Sequence, residues 1–411
     1  MNKVAYFLNI YPKTSETFIQ REIDNLQKIG YEVVIFAIRR NKKLRNTFDL
    51  SKAFSSIIYA FPESTISSFF LTITIIIRHP VKYLKCIMLI LKNLSDQSIP
   101  VVSKQFILLY YSARYVYKLR SEKIHHIHSH FSNASSIALF CKILNPQLKF
   151  GFTAHASADI YQSAVLLVDK MKYCNYVIAI SEYNERYLNL VSDNIYKSKI
   201  KVVFNGVELK EKRSSKSFGK CNDRIKFISV GDFTFIKGYP TLIEAARIIK
   251  NRGYKFLIEI IGSGKQMKTI QELISENDLF NEVKLLGEIP NTKVISKISE
   301  YDVFVLPSEI YMNGKRDGMP TAIIEAMSCG IPVISTYISG IPEIVVQHTT
   351  GILVRERDPV ELSNAMIELI ENSDLRDRLS ENAYSLIERK FNILNTVREI
   401  DKVFRQSVYN D

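Results

Sequence analysis

Short apolar runs of strand length alternate with segments of helical periodicity along most of this 411-residue chain. The first series begins at "VAYFLNI" and continues through "YEVVIFAI", "KIHHIHSHF", "LKFGFTAHA" and "YVIAIS". The second contains "IKFISVGDF", "FLIEIIG", "EVKLLGEI", "YDVFVLPS", "IPVISTY" and "GILV". Alternation of this kind predicts a parallel, doubly wound sheet. Two series therefore predict an α/β fold in which two Rossmann-like domains face each other across a cleft.

A polar segment at residues 210–224, "KEKRSSKSFGKCNDR", separates the two series and is the best linker candidate. We therefore expect a first domain over residues 1–209 and a second over residues 225–385. Residues 386–411 are expected to form a helix that packs back towards the first domain. Two domains also agree with the chain length, because single cores stop growing beyond about 250–300 residues.

Residues 57–119 interrupt the first series. Their apolar runs, "FFLTITIII" and "IMLIL", are flanked by Arg78, Lys82, Lys85 and Lys92. The longest run is shorter than the roughly 20 residues that span a bilayer. Two interpretations stay open: helices buried against the first domain, or an in-plane amphipathic contact with a membrane.

The net charge of +13 lies in the N-terminal half. Residues 1–210 hold 28 Lys/Arg against 14 Asp/Glu, a difference of +14, and residues 211–411 hold 27 against 28, a difference of −1. This surplus suggests an anionic partner: nucleic acid, a phosphorylated substrate or an anionic membrane surface. A merely solubilising basic surface is the alternative.

The five cysteines form no CxxC pair and suit a reducing compartment, and no secretory signal is visible at the start.

Two carboxylates, Asp317 and Glu325, stand on either side of a Gly-Met-Pro turn. We expect the turn to follow a strand and to open a helix, with Pro320 in the first helical turn and Glu325 in the second. Gly318 permits close approach of a ligand, and the helix start favours an anion. The carboxylates could then accept hydrogen bonds from hydroxyls on either side of a diphosphate, as in a sugar nucleotide. A capping Asp and a solvated Glu are the alternative.

A second candidate anion site lies in "SVGDFTFIKGYPTLIEAA" (229–246). A strand ends at Gly231, and the following loop carries Lys237 beside a glycine before a helix begins. A lysine in such a loop can contact phosphate, although the Walker A spacing is absent.

Histidines follow or occupy two strands of the first series. His155 comes directly after a strand, where it could donate to a phosphate or a sugar oxygen, or serve only in packing. Alternation places His126, His128 and His130 on one side of another strand. Cleft-lining or core positions are favoured over metal binding there, and no Cys/His zinc spacing or GxSxG elbow occurs.

Taken in order, these segments resemble family-4 retaining glycosyltransferases of the GT-B fold over essentially the whole chain. The most similar subgroup is that of colanic-acid-type exopolysaccharide transferases. The matching pieces are "FLNIYPKTSETFIQREI", "IHSHF", "FTAHASADIY", "AISEYNERYL", "VVFNGVE", "VGDFTFIKGYPTLIEAA", "VFVLPS", "DGMPTAIIEAMSCGIPVIST" and "SGIPEIV".

The resemblance implies a role for each matching residue. Asp317 would hold a hydroxyl of the donor sugar, Glu325 the ribose, Lys237 the donor diphosphate, and His155 the reacting sugar. Gly318, Met319 and Pro320 would lie where the family's backbone amides meet the phosphate and sugar, and Thr321 would be a further donor-binding residue. Asn205-Gly206 corresponds to the step where the chain leaves the first domain. Ser15, Glu16 and His130 would lie on the acceptor side.

Two residues depart from the family pattern. Asp232, after Gly231, stands where the family usually has arginine, so Lys237 would carry more of the charge opposite the diphosphate. Asp317 stands where the family has the longer glutamate, so its loop would have to come closer to the sugar.

The implied function is metal-independent, retaining transfer of a hexose from a nucleotide-diphosphate sugar to a glycan acceptor in the biosynthesis of a bacterial surface polysaccharide. The acceptor is expected to be lipid-linked. No cofactor or metal is expected, and no nucleic-acid partner. The expected location is the cytoplasm, with peripheral association at the inner face of the cytoplasmic membrane left open. A sugar-nucleotide epimerase and a non-catalytic nucleotide-sugar-binding partner are the rival functions.

Overall fold

A computed structural model describes residues 2–13, 16–41, 57–61, 65–92, 97–156, 160–161, 165–209, 224–312 and 314–409. The chain divides into two compact units. Unit 1 comprises residues 1–203 and 396–411, and unit 2 comprises residues 204–395. The linker candidate at 210–224 falls outside the described residues except for Arg224, and Ser15 falls outside them as well.

Unit 1 contains a seven-stranded parallel sheet in the order β3-β2-β1-β4-β5-β6-β7. Its strands are β1 (Lys3–Tyr11), β2 (Glu32–Arg40), β3 (Ile57–Phe61), β4 (His126–His130), β5 (Lys149–Ala154), β6 (Tyr176–Ala179) and β7 (Ile200–Val202). From β1 to β3 each new strand is added on one side of the sheet, and from β4 to β7 on the other, so the strand order reverses between β1 and β4. In sheets of this kind ligands bind beyond the carboxyl ends of the strands at such a reversal.

The helices that accompany this sheet are α1 (Thr17–Lys28), α2 (Thr65–Arg78), α3 (Pro80–Lys92), α4 (Ile99–Ser121), α5 (Ser132–Leu144), α6 (Leu167–Tyr173) and α7 (Glu182–Val191). The expectation that the insertion begins at residue 57 is wrong. Residues 57–61 form β3, which pairs in parallel with β2 and buries Tyr59 and Ala60. The inserted helices are therefore α2, α3 and α4.

The sequence also predicts that Ser15 or Thr17 caps α1, and for Thr17 this prediction is wrong. The residue before the helix is Glu16, which makes no capping bond and instead pairs with Lys13. Thr17 is the first helical residue, and its hydroxyl accepts a hydrogen bond from Arg21.

Unit 2 contains a six-stranded parallel sheet in the order β10-β9-β8-β11-β12-β13. Its strands are β8 (Ile225–Val230), β9 (Phe256–Ile261), β10 (Val283–Gly287), β11 (Val303–Val305), β12 (Val333–Thr336) and β13 (Gly351–Val354). Its helices are α8 (Tyr239–Asn251), α9 (Met267–Glu276), α10 (Asn291–Ile298), α11 (Thr321–Ser328), α12 (Pro359–Glu371) and α13 (Ser373–Leu386). The reversal here lies between β8 and β11. The prediction of two parallel-sheet, Rossmann-like domains is confirmed.

The last helix, α14 (Ile393–Phe404), belongs to unit 1 from Thr396 onwards. The Phe404 ring lies 4.6 Å from the ring of His126 and 5.8 Å from that of Tyr31. The Tyr31 hydroxyl donates to Asp401 at 2.7 Å. The C-terminal segment thereby covers the middle of the first sheet.

Apolar strands and helix faces build a separate core in each unit. The four cysteines within the described ranges are buried and outside any disulfide: Cys86, Cys141, Cys174 and Cys329. None of the helices among the described residues combines the length and the apolar character that crossing a bilayer would need.

Candidate functional site

The candidate donor site of unit 2 lies where β8 and β11 end side by side. The chain after β8 carries Gly231 and Lys237, and the chain after β11 carries Ser308 and Asp317. This edge is where the reversal of strand order opens a ligand crevice. The sequence places a lysine on one loop and a carboxylate on the other.

Lys237 and Asp317 form an ion pair at this edge. The Lys237 ammonium lies 2.9 Å from Oδ2 of Asp317 and 3.1 Å from Oδ1. Both side chains are about 85% covered, with 14% and 15% exposed. Ser308 donates a further hydrogen bond to Oδ2 at 3.0 Å, and its own carbonyl accepts from Thr336 at 2.6 Å. The carboxylate is thus held from two directions.

Gly238 gives Lys237 its position. Lys237 ends a 3-10 turn, and Gly238 follows with φ of +66°, a left-handed conformation that favours glycine. A Cβ atom at Gly238 would lie 1.8 Å from the carbonyl oxygen of Pro307. The Glu309 amide donates a hydrogen bond to the Ile236 carbonyl at 2.9 Å, which links the loop after β11 to the loop after β8. No other residue type could keep the lysine loop this close to the end of β11.

The turn between Asp317 and α11 is buried, with Gly318, Met319 and Pro320 inside. The Gly318 carbonyl accepts from the Gly340 amide at 2.9 Å. Pro320 was expected within the first helical turn, but it stands one residue earlier as the N-cap, with φ of −64° and ψ of 117°. Helix α11 begins at Thr321. The Ile323 amide donates to the Pro320 carbonyl at 3.1 Å, whereas the amides of Thr321 and Ala322 have no acceptor within the helix.

Glu325 lies in the second turn of α11 and is only 8% exposed. Burying a carboxylate is costly unless it is paired or hydrogen-bonded.

Gly231 and Asp232, which follow β8, differ from each other in exposure. A Cβ atom at Gly231 would lie 3.1 Å from both the Lys237 side chain and the Tyr239 hydroxyl, whereas Asp232 is exposed.

In unit 1, a chain of polar side chains runs beneath the ends of β4 and β5. The His155 Nε2 lies 3.0 Å from Nδ1 of His130. The other ring nitrogen of His130 lies 3.4 Å from Oε1 of Glu22. The Tyr6 hydroxyl donates to that oxygen at 2.6 Å. His130 is fully buried, and Glu22 and His155 are nearly so.

This order of contacts assigns the tautomers. The His130 nitrogen that faces Glu22 is too poorly aligned for a hydrogen bond, but a carboxylate attracts an N–H and repels a lone pair, so this nitrogen carries the proton. Nδ1 of His130 is then an acceptor, and His155 donates to it from Nε2. That leaves Nδ1 of His155 as an acceptor. We assign this pattern from the network of heavy atoms.

Burial lowers the pKa of His155 and of His128 well below the ordinary value, and the charge of neighbouring histidines adds to the effect. Burial alone lowers the pKa of His126 to about 3. These rings are therefore neutral at physiological pH. Burial raises the pKa of the Glu16 carboxyl, and the charge and hydrogen bond of Lys13 partly offset this.

Glu22, His128 and His130 are also, within the described ranges, a group whose donor atoms lie close enough for a metal ion. Hydrogen bonds already engage Glu22 and both ring nitrogens of His128. Tyr6 bonds to Glu22 at 2.6 Å, and Thr153 lies 3.1 Å from Nε2 of His128. The Tyr176 hydroxyl lies 3.0 Å from Nδ1 of the same ring. The donor set therefore favours a hydrogen-bonded network over a metal site.

A cavity of roughly 1030 Å³ opens at the strand-order reversal of unit 1. Three cationic side chains line it, Lys13, Arg39 and Lys104, together with Glu16. Its remaining lining is mostly apolar, from Ile10, Ile38, Phe106, Ile107, Leu108, Tyr110, Tyr111 and Phe131. Burial and the nearby charge of Arg39 lower the pKa of Lys104. Two like charges near one cavity favour an anionic ligand.

Comparison with known proteins identifies the class of enzyme. The family described as "Glycosyl transferases group 1" matches residues 210–386. The chain is 27% identical over 387 residues to the amylovoran biosynthesis glycosyltransferase AmsK of Erwinia amylovora, covering 89% of this chain and 90% of the relative. This chain is a GT-B glycosyltransferase.

The glycosyltransferase has other relatives of the same kind. It is 26% identical over 246 residues to the capsular polysaccharide biosynthesis glycosyltransferase CapM of Staphylococcus aureus, covering 56% of this chain and 60% of the relative. Among solved structures, Anabaena Alr3699/HepE in complex with UDP and glucose matches with a TM-score of 0.72 at 14% identity. That match covers 99% of this chain and 100% of the Anabaena chain. It shows the shared fold.

The structure of the glycosyltransferase brings the predicted residues into two groups. Lys237 and Asp317 are in contact in unit 2, and Gly318 to Thr321 lead from Asp317 into the helix of Glu325. His130 and His155 are in contact in unit 1, and Glu16 lines the cavity there.

Sequence reasoning missed several residues of these two groups. Ser308 and Glu22 each hold a predicted residue in place, and Arg39 and Lys104 line the cavity. "VFVLPS" and "FIQREI" belonged to the matching segments, so the first two could have been found. Nothing local marks Arg39 or Lys104.

Proposed function

We propose that this enzyme is a family-4 retaining transferase that moves a hexose from a nucleotide-diphosphate sugar to a lipid-linked glycan during the biosynthesis of a bacterial surface polysaccharide. The relatives named for amylovoran and for capsular polysaccharide support the polysaccharide. The UDP and glucose bound to the Anabaena protein support a nucleotide-sugar donor. We place the enzyme in the cytoplasm, at the inner face of the cytoplasmic membrane.

The observation that carries this proposal is the junction of Lys237, Asp317 and the start of α11 at the strand-order reversal of unit 2. Lys237 supplies a cation, and the helix start supplies amide groups with partial positive charge. Asp317 supplies an acceptor for a sugar hydroxyl. Glu325, in the same helix, supplies an acceptor for the ribose hydroxyls. A diphosphate with a sugar at each end has matching groups.

The reaction requires stabilisation of a leaving diphosphate. The bond between the anomeric carbon and the phosphate oxygen breaks, and its electron pair stays on the phosphate. The acceptor oxygen forms the new bond on the same face of the sugar, and its proton passes to the leaving phosphate oxygen. Lys237 and the α11 amides stabilise the charge that develops. A divalent ion has no assigned part in these steps.

His155 holds the donor sugar in this proposal. Because its Nε2 donates to His130, its Nδ1 can accept a hydrogen bond from a sugar hydroxyl. The low pKa of His155 keeps the ring neutral and that lone pair available. Glu22 and His130 position the ring without touching the sugar.

The cavity of unit 1 takes the acceptor. Lys13, Arg39 and Lys104 would pair with a phosphate or diphosphate, and the apolar lining would contact a lipid or the less polar face of a sugar. This combination of charges and apolar groups fits a lipid-linked glycan better than a free one. Glu16, at the same cavity, is placed to accept from an acceptor hydroxyl.

Donor turnover tests this proposal. Wild-type enzyme is incubated with UDP-, GDP- and ADP-sugars, membrane extract as the acceptor source, and EDTA, beside Glu325→Ala. Transfer in EDTA that is lost in the variant supports the proposal and identifies the nucleotide. Donor binding without turnover, with acceptor shown to be present, favours a non-catalytic partner. Conversion of the donor sugar without any acceptor favours an epimerase.

A further inference from the structure

Helix α2 buries two small polar side chains and exposes most of its large apolar ones, although Ile75 packs against the core of unit 1. Ser68 is fully buried and Thr72 is 6% exposed. The Thr72 hydroxyl lies 3.2 Å from the Tyr110 carbonyl of α4. Five large apolar side chains of α2 are exposed instead: Phe69, Phe70, Ile73, Ile76 and Ile77. In water a surface helix has the opposite arrangement.

Helix α3 continues this pattern. It buries Cys86 and Ile90 against unit 1. Its exposed apolar residues are Val81, Leu84, Met88 and Leu91, spaced three or four apart along one stripe. The two helices thus expose nine large apolar side chains between residues 69 and 91. We call these nine side chains the outer face.

The charged side chains within α2, α3 and the turn between them all have one sign. Residues 65–92 contain four cationic residues, Arg78, Lys82, Lys85 and Lys92, and no Asp or Glu. Helix α2, with 14 residues, is about 21 Å long, shorter than the about 30 Å of a bilayer's hydrocarbon core. The outer face therefore suits the boundary of an anionic bilayer, where an apolar interior lies beneath a negatively charged surface. The two helices would lie in the plane of that surface.

We propose that the outer face of α2 and α3 docks this enzyme on an anionic phospholipid leaflet, with the apolar side chains in the acyl boundary and the exposed cations Arg78 and Lys92 at the headgroups. Lys82 and Lys85 contact Leu144 and Tyr173 of unit 1 instead. The inference extends the proposed function, because a lipid-linked acceptor would lie in the same leaflet. The inverted polarity of α2 distinguishes this surface from a solvated basic patch. An exposed apolar face of this extent marks an interaction surface.

Vesicle flotation tests the proposal with the full chain and with neither donor nor acceptor present. Vesicles of phosphatidylcholine with phosphatidylglycerol should bind the enzyme more tightly than phosphatidylcholine alone. Because the apolar contribution is not screened, part of the binding should persist between about 0.1 M and about 1 M salt.

Two double variants separate the apolar and the electrostatic contributions. Phe70→Ser with Ile77→Ser should weaken binding to anionic vesicles about tenfold or more. Arg78→Gln with Lys92→Gln should weaken it by about fivefold per charge at low salt and little at high salt. These side chains are exposed, so the melting temperature should stay within a few degrees of the wild-type value.

Matched controls come from another surface of unit 1. Leu190→Ser with Ile195→Ser removes two apolar side chains that are equally exposed, at 73% and 68%. Lys197→Gln with Lys201→Gln removes two exposed lysines. Both control pairs should bind vesicles like the wild type.

Three outcomes would overturn the proposal: no binding to either vesicle, binding that all four double variants share, or binding abolished at high salt and insensitive to Phe70→Ser with Ile77→Ser. Self-association that this apolar pair abolishes, without vesicle binding, would assign the face to a second copy. Vesicle binding through the outer face without sugar transfer would retain this inference and overturn only the proposed function.

Discussion

Lys237 and Asp317, 80 positions apart in the chain, meet at 2.9 Å in unit 2. The family pattern assigns these two residues to different parts of the donor, the diphosphate and the sugar. Their contact means that the cation is already balanced by a carboxylate before a ligand arrives. In the proposed donor site, a bound diphosphate would therefore share Lys237 with Asp317, so the contacts to the diphosphate and to the sugar would depend on each other.

Replacing Lys237 by alanine should reduce sugar transfer about 100- to 1000-fold, because the leaving diphosphate loses its principal cation. Asp317 keeps its bond from Ser308, so the fold should survive with a loss of about 1–3 kcal/mol in unfolding free energy. Steady-state kinetics and calorimetry measure the two effects. Lys297→Ala, which breaks the more exposed Lys297–Glu300 pair, is the control and should change neither by much.

Replacing Asp232 by arginine should tighten donor binding. The residue is exposed, so the change should leave the fold intact, and it adds a cation beside the lysine loop. We expect the donor KM to fall by a few-fold, with the gain shrinking as salt screens the added charge. Asp232→Asn is the matched control, because it removes the acidic charge without adding a cation. Equal effects of both variants would mean that the acidic charge alone was responsible.

Replacing Arg39 and Lys104 by glutamine should raise the KM for a phosphate-bearing acceptor. Loss of a charge-assisted bond costs about 1.5–3 kcal/mol, which corresponds to roughly tenfold or more per residue. Calorimetry should give a nucleotide Kd within about twofold of wild type, because Arg39 and Lys104 belong to unit 1 and the proposed nucleotide-binding residues belong to unit 2. Lys123→Gln, at an exposed position of unit 1, serves as the control. An unchanged acceptor KM would exclude the cavity as the phosphate site.

The buried histidines predict that unit 1 loses stability in acid. The pKa values of His126, His128 and His155 are lower in the folded chain than the ordinary value of 6.5. Below about pH 6.5 the unfolded chain therefore binds more protons, and stability falls as pH decreases. Each histidine lowers the free energy of unfolding by up to about 1.4 kcal/mol for each pH unit of acidification. This slope persists until the pH reaches the pKa of that histidine in the folded chain.

Calorimetric melting between about pH 7 and pH 5 measures this slope. His126→Asn should lower stability overall yet reduce the slope by the share of one histidine. His79→Asn, at an exposed site in the same unit, should leave the slope as it is. The hypothesis fails if both variants retain the wild-type slope.

The sequence predicted most strands, because buried parallel strands are continuous apolar runs between helical segments. Two strands escaped notice, β3 and β7. β3 is an edge strand preceding the inserted helices, and β7 has only three residues, Ile200–Val202. β4 was expected from alternation, but all five residues of "HIHSH" are buried. Hydrogen bonds among polar side chains, including the His128 and Tyr176 pair, make that burial possible.

The site was less predictable than the sheets. The family pattern indicated Lys237 and Asp317 separately, but their contact depends on how Gly238 fits under Pro307. The cavity depends on Arg39 and Lys104, which are brought together by a strand and a helix 65 positions apart. Likewise, "FFLTITIII" indicated apolar content and left open which side of α2 faces the protein. Such features depend on tertiary packing, which no local pattern encodes.

The covering of β4 by Phe404 sets an order of events during synthesis. Unit 1 is made first, but one piece of its core comes from residues 396–409, which leave the ribosome only after unit 2. Until then the nascent sheet has His126 and Tyr176 uncovered, which exposes apolar and polar groups that belong inside. Domains generally fold as they emerge. In this enzyme unit 2, although it is synthesised second, can therefore complete its core before unit 1 does.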